Sequence, residues 1–307
     1  MDVGCLEEQA RLASSVDMRR LIENTTELLS TERATGRQGT QRRRGGLIEL
    51  PRKGKAIVVG DIHGDLDSLK QIFSLSGFLA QVSSVPDAFI VFLGDYGDRG
   101  ENSLQVYWIL LKLKTLFPAH VVLLRGNHEP PPGLGVYPFD LPRFLWAKYG
   151  LRGQALLPLF MQLFDALPHA AVVPGSYLML HGGLPEDIQS IEDIETAREK
   201  HPLSSCLEQI LWSDPGANEE TRPSVRGAGR LFGKEVSRKI LALLGARILI
   251  RAHEPCEGIM IHHEGRVLTL FSRKGPPYHN HRAAYLMLDL AEHIATGYEL
   301  RSRACFF

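Results

Sequence analysis

Neither sign of charge prevails in this sequence: lysine plus arginine and aspartate plus glutamate number 35 each in 307 residues. A balanced chain has no global field to draw it to nucleic acid or to an anionic membrane surface, so attraction for a charged ligand has to be local. Cysteine is scarce too. Cys5, Cys206, Cys256 and Cys305 lie far apart with no C-x-x-C pair, which excludes a disulfide-built scaffold and suits small apolar fillers in a reducing compartment. No stretch approaches the roughly 18 consecutive apolar residues of a membrane span. The opening "MDVGCLEEQARLASS" carries acid where a signal peptide needs a basic and then an apolar run. A soluble, cytoplasmic protein with no nucleic-acid or membrane partner is expected, and the lack of any fixed-period repeat excludes a solenoid.

What the sequence does have is 44% hydrophobic residues, enough for the core of one large domain or two small ones. Their arrangement repeats one design five times. "AIVVGDIHGD" (56–65), "AFIVFLGDYGDRG" (88–100), "VVLLRGNHEP" (121–130), "YLMLHGGLP" (177–185) and "RILIRAHEPCEG" (247–258) each run from a short apolar stretch into Asp, His or Asn, usually beside glycine. Short apolar runs bounded by turn signals fit strands buried on both faces, and polar residues just past their ends fall on one rim of a sheet, where open α/β folds bind ligands. Helix-like segments at 68–79, 103–117, 140–150 and 234–245 alternate with the strands, which predicts α/β architecture. "AAYLMLDL" (283–290) reads as a further strand, and "PPPGLGVYPFD" (130–140) as a turn-rich surface loop beside the site. Residues 5–30 suit one or two amphipathic helices, and the basic run 33–46 an exposed connector. We therefore divide the chain into a helical segment with its connector, 1–46, and a catalytic domain, 47–307.

The strand ends offer Asp61, His63, Asp95, Asn127, His181 and His253. Carboxylate, amide and imidazole together suit Mn²⁺, Fe or Zn²⁺ better than Ca²⁺ or a thiolate-bound metal. Six ligands are too many for one tetrahedral ion and about right for two divalent ions sharing a carboxylate, roughly 3.5–4 Å apart. Two such ions with Asp61 and Asp95 leave a charge of roughly +2, and Arg99, Arg125 and Arg226 add planar forks that fit phosphate oxygens. Such a site wants a phosphate.

In order and spacing, "GDIHGD", "GDYGDRG", "LLRGNHEP", "HGGL", "LWSDP", "RGAGRLFG" and "IRAHEP" resemble the phosphoprotein phosphatase family of dimetal serine/threonine phosphatases. The resemblance covers about 45–290 and implies a metallophosphatase β-sandwich flanked by helices. It implies one metal on Asp61, His63 and Asp95, and another on Asp95, Asn127, His181 and His253. It also implies in-line attack by a water shared between the two cations, with His128 as the acid that protonates the departing alkoxide and Asp98 as its orienting partner. A phosphorylated protein or peptide is then the substrate.

Some positions depart from the family pattern. Gly97 stands where valine is usual, and Asp65 where glutamine is common. Glu254 follows His253, and we read it as half of an ion pair. The family's "FSAPNYC" appears as "FSRKGPPYHN" (271–280), which makes Tyr278 a shifted candidate for its substrate-facing tyrosine. Trp212 reads as core and Asp214 as the partner of a nearby arginine. Two rival readings stay open. One is a phosphodiesterase or dinucleoside polyphosphate hydrolase on the same scaffold; the other is a phosphopeptide-binding module without turnover.

Overall fold

The strand Lys55–Val59 (β1) shows how apolar runs build this molecule. Ala56 and Val58 point to one face and Ile57 and Val59 to the other, and all four are buried. Successive strand side chains alternate faces, so an unbroken apolar strand needs cover on both. Strands Ala88–Phe92 (β2), Val121–Leu123 (β3), Tyr177–Leu180 (β4) and Ile248–Arg251 (β5) are buried throughout in the same way. The computed structural model describes residues 3–307.

β1, β2 and β3 run parallel in a five-stranded sheet, continued past β1 by Ala284–Asp289, antiparallel to it, and by Ala304–Phe306, antiparallel in turn to Ala284–Asp289. β4 and β5 are parallel neighbours in a separate, mixed eight-stranded sheet. One set of faces meets in a shared core: Val58, Phe89, Val91 and Val122 pack with Met179, Ile248 and Ile250. The outer face of the small sheet, with Ile57, Val59, Ile90 and Phe92, lies under helices Leu66–Ser76, Ser103–Leu116 and Leu157–Ala166. The outer face of the large sheet, with Leu178, Leu180 and Leu249, is covered by Cys206–Trp212 and Lys234–Leu243. The result is a mixed α/β sandwich with flanking helices.

Sequence periodicity assigns all five strand ends to the rim of one sheet, whereas the structure divides them between two. A sheet covered by helices on both faces and one covered by a second sheet show the same unbroken apolar pattern, so the pattern cannot separate them. The two rims still come together. Asp61 bridges in parallel fashion to Phe271, just past strand Val267–Leu270 of the large sheet, and Ser272 Oγ accepts from Gly60 N at 2.7 Å. Only glycine fits at position 60, because a Cβ there would lie 2.2 Å from the Leu270 carbonyl oxygen.

Helices Val3–Leu12 (α1) and Ser15–Thr35 (α2) bury Leu6, Ala10, Met18, Leu21 and Leu29 in the core beneath the small sheet. A Ser14–Asp17 capping box starts α2, and Gly36 at φ 70° ends it. The helix expected over 68–79 breaks at Gly77, φ 64°, into Leu66–Ser76 and a short turn at Phe78–Gln81.

The basic run differs most from expectation. It forms the strands Arg37–Gln38 and Gln41–Arg44, which extend the large sheet, and only alternate arginines face water. Arg43 is 2% exposed. Its guanidinium donates to the carbonyls of Gly45, Leu29 and Ala166 and lies 3.6 Å from the Glu32 carboxylate. Glu32 also holds Lys114 at 2.7 Å, and Lys114 donates to the carbonyls of Pro118 and Val121. A charge run read as solvated thus contributes one buried cation, chosen by the two-residue period of a strand.

Candidate active site

Asp61, His63, Asp95, Asn127, His181 and His253, which extend from both sheets, converge at one end of the sandwich, all buried. Among the described residues, two triads bring ligand atoms within 4.8 Å of one another: His63, Asp95 and His128, and Asp95, His181 and His253. Asp95 belongs to both. His63 Nε2 is 3.3 Å from Asp95 Oδ2 and 3.7 Å from Asp61 Oδ2. On the other side, His181 Nε2 is 3.4 Å from Asp95 Oδ1. The outer amide atom of Asn127 lies 2.9 Å from His181 Nε2 and 3.2 Å from His253 Nδ1. Two oxygens of Asp95 lie 3.0 and 3.2 Å from the same place, so lone pairs surround it on every side.

Each imidazole is turned so that one nitrogen stays free. His63 donates from Nδ1 to the Gly97 carbonyl at 2.8 Å, and His181 from Nδ1 to the Leu93 carbonyl at 3.1 Å. Both therefore present the Nε2 lone pair inward, as ligating histidines with a fixed tautomer do. His253 Nδ1 faces the same cluster, while its Nε2 is buried without a hydrogen-bond partner, 3.9 Å from Asp214.

Burial sets the electrostatics. It pushes the Asp61 carboxyl up to about 6 and Asp95 well above its usual range, and it holds His63, His181 and His253 well below theirs. Carboxylates short of counter-charge among neutral imidazoles form a donor set that a divalent cation satisfies. The residues present therefore fit a metal pair. His128 is the poorer ligand in its triad: its Nε2 lies 3.4 Å from the Arg99 guanidinium, which repels a cation. Asp61 Oδ1 accepts from His253 N at 3.0 Å, and its Oδ2 faces His63.

Backbone strain concentrates here. Of the eight non-glycine residues with positive φ among those described, five are His63, Asp95, Asp98, Arg99 and His253. Such conformations are uncommon for L-residues and persist where the surroundings over-determine them.

Above the cluster opens a cleft of about 550 Å³ whose lining includes His128, Arg99, Arg226, Trp212 and Tyr278. His128 Nδ1 donates to Asp98 Oδ2 at 2.7 Å, and Asp98 Oδ1 in turn accepts from the backbone of Asp140 and Leu141. Burial lowers the His128 pKa, and the Asp98 carboxylate pulls it back up. Arg99 has a buried Nε without a partner. Arg226 donates from Nε to Asp214 Oδ2 at 2.6 Å, the partnership expected of Asp214. Tyr278 reaches the cleft and stacks on His63 at 5.7 Å, and burial raises its hydroxyl pKa. Val136 and Tyr137 place the proline-rich loop at the cleft, and Trp212, read as core, is buried yet forms part of the wall with its ring edge-on to His253.

Arg125 is placed elsewhere. Expected to grip phosphate, it is 1% exposed and donates from Nε to the Glu129 carbonyl, with Asp165 3.6 Å from Nη1. It holds the loop rather than facing the cleft. Asp65 caps helix Leu66–Ser76 through Ser68, and Glu254 pairs with Arg251 at 2.6 Å. At Gly97 a Cβ would lie 2.5 Å from the Tyr107 ring, so that ring fills the space a valine would take.

Sequence reasoning passed over Glu129. Fully buried, its carboxylate accepts from the backbone N–H of Asp95, Tyr96 and Gly126 at 2.9, 3.1 and 2.9 Å and from the Tyr107 hydroxyl at 3.0 Å. It thereby ties the loop carrying Asp95 to the loop carrying Asn127. The available signal was its place beside His128 in a loop short of other acids.

Comparison with known proteins agrees with this geometry. A family model described as calcineurin-like phosphoesterase matches residues 54–257. The serine/threonine-protein phosphatase 6 catalytic subunit of Drosophila melanogaster is 35% identical over 248 residues, covering 79% of this chain and 78% of that protein. Serine/threonine-protein phosphatase PP1-1 of Saccharomyces cerevisiae is 36% identical over 219 residues, 70% of this chain and 68% of that protein. A probable serine/threonine-protein phosphatase of Encephalitozoon cuniculi is 34% identical over 251 residues, and the match spans 79% of this chain but only 52% of that relative. In fold, the chain is similar to a Saccharomyces cerevisiae protein serine/threonine phosphatase with similarity to human phosphatase PP5, with a TM-score of 0.75 at 23% identity over 96% of this chain and 89% of that one.

Proposed function

The chain belongs to the calcineurin-like metallophosphoesterase family, and from that premise we propose that it hydrolyses phosphoserine and phosphothreonine esters in proteins. The observation that carries this reading is the position of Asp95. It stands between His63 on one side and His181 and His253 on the other, beneath a cleft that presents Arg99, Arg226 and the His128–Asp98 couple. The likeness to relatives named as serine/threonine phosphatases supports the choice of substrate.

Asp61, His63 and Asp95 would hold one divalent ion, and Asp95, Asn127, His181 and His253 the other, with Mn²⁺ the first choice and Fe or Zn²⁺ compatible with the same donors. When bound, such a pair lowers the pKa of water and polarises a phosphoryl oxygen. The protein's own groups do the rest. Arg99 and Arg226 take the phosphate oxygens, and Asp214 fixes the angle of the Arg226 fork. His128 protonates the departing serine oxygen from Nε2. Asp98 holds the opposite N–H and stabilises the imidazolium against the burial that disfavours it. Tyr278 closes one wall against solvent.

The test is turnover of a phosphoserine peptide, a bis-aryl phosphate and diadenosine tetraphosphate after reconstitution with Mn²⁺. Preference for the peptide is expected. Preference for the diester or the dinucleotide would replace this reading, and bound metal without turnover of any substrate would favour a binding module.

A further inference from the structure

The loop after strand Val267–Leu270 carries an arginine with no obvious reason to be buried. Arg273 is 4% exposed and forms no ion pair among the described residues; Asp65 and Asp61 act on it only through space. A guanidinium withdrawn from water without a paired carboxylate is costly, so its placement calls for a purpose. Its Nη1 donates to the His63 carbonyl at 3.2 Å, and its Nη2 donates to the Pro276 carbonyl. One planar fork thus joins the turn that carries His63 to the loop 273–280. That loop is closed on itself by the Gly275–Asn280 bridge and by Asn280 Nδ2, which donates to the Arg273 carbonyl at 2.8 Å.

Tyr278 is what the closed loop presents. Its ring centre lies 5.1 Å from Arg273 Cζ, 5.4 Å from Arg99 Cζ, 5.7 Å from the His63 ring and 5.1 Å from the Phe271 ring. Without Arg273 the ring loses one of its two cations, and the loop loses the tie that keeps it beside His63.

We infer that Arg273 is a positioning residue that holds Tyr278 in the wall of the cleft, and so sets how tightly a phosphoester is gripped. The inference rests on the phosphomonoester reading of the site. Arg273 does not line the cleft, and its effect passes through the tyrosine ring. Lysine is a poor replacement, since its one nitrogen lacks the planar pair from which Nη1 and Nη2 reach the His63 and Pro276 carbonyls while the flat guanidinium lies against the tyrosine ring.

The experiment is a double-mutant cycle with Arg273→Met and Tyr278→Ala, singly and together, on the full chain with a phosphoserine peptide. Melting temperature and bound Mn²⁺ are measured alongside. Arg273→Met should raise KM on the order of tenfold with kcat within about twofold, because a lost cation–π contact and two hydrogen bonds loosen the ring. The double variant should be no worse than Tyr278→Ala alone. Arg273→Lys, the milder change should the methionine variant fold poorly, should keep most of the KM defect. Independent, multiplying effects overturn the inference, and so does full recovery in Arg273→Lys. Loss of bound Mn²⁺ in Arg273→Met overturns it as well, since the arginine would then serve His63 instead. Wild-type turnover in the same assay separates the two readings. If it is present while the effects multiply, the positioning role falls alone; if no phosphomonoester is turned over, both fall.

Discussion

Replacing Glu129 by glutamine changes one atom and should loosen the whole site. The carboxylate accepts from four donors, three of them backbone and one Tyr107, and makes no other side-chain hydrogen bond among the described residues. Burial pushes it up to about 7, against the downward pull of those donors. A glutamine oxygen in the place of Oε2 can keep the Asp95 and Gly126 N–H groups. Its NH₂ then faces the Tyr107 hydroxyl, which can turn to accept, and the Tyr96 N–H, which cannot. One buried donor left alone costs about 1–3 kcal/mol, and loss of charge assistance at the remaining bonds about 1 kcal/mol each. Relief of the buried charge, which the raised pKa reports, offsets part of this, and the net cost of about 1–3 kcal/mol is still a sizeable share of the roughly 5–15 kcal/mol that holds a domain together. Glu129→Ala strands all four donors and is expected to yield no folded protein. Urea unfolding of Glu129→Gln, with Mn²⁺ affinity measured on the same preparation, checks this. A midpoint and an affinity unchanged from wild type would refute the reasoning, because both loops would then be held by something else.

His128→Ala should retain bound metal and lose roughly 10²–10⁴-fold in rate on phosphoserine, with a much smaller loss on an aryl phosphate whose phenolate leaves without a proton. Equal losses on the two substrates would remove the acid role. Glu32→Gln, which leaves Lys114 and Arg43 buried without their shared carboxylate, should cost about 3–5 kcal/mol in urea unfolding although it lies in α2, outside the catalytic cluster. A loss below about 1 kcal/mol would show that the carbonyls alone carry those charges. Stability should also fall in mild acid through His169, whose pKa burial lowers to about 4 from an ordinary 6.5. The unfolded chain takes up this proton below 6.5 and the folded one only near 4, so stability declines as pH drops through that window. The loss from this group between pH 7.5 and 5 is about 2 kcal/mol. His169→Gln should flatten that slope in thermal unfolding at the two pH values, and an unchanged slope would assign it to other groups.

The cluster of candidate ligands was legible because each member marks a local event, an apolar strand stopping at a turn, and five such events share one end of a sandwich. Asp61, His63, Asp95, Asn127, His181 and His253 needed no knowledge of which sheet carried them. Arg125 and Arg43 needed that knowledge. Their side chains were judged by charge, whereas their direction was set by strand and loop geometry, which sent Arg125 to Asp165 and Arg43 to Glu32. Gly97 makes the same point at closer range. Its missing bulk is replaced by Tyr107, and only the packed structure shows that ring to be the neighbour. Glu129 stayed hidden because three of its four partners are backbone N–H groups, which leave no trace in the side-chain sequence.

Asp61, His63, Asp95 and Asn127 follow strands of one sheet, and His181 and His253 follow strands of the other. The pocket is therefore a gauge of how the two layers are seated on each other. A methyl group removed between them, at Val58 or Ile250 in the shared core, can reset the spacing of the rims. Variation in the sandwich filling offers this protein a way to tune the site without touching a single residue of the cluster.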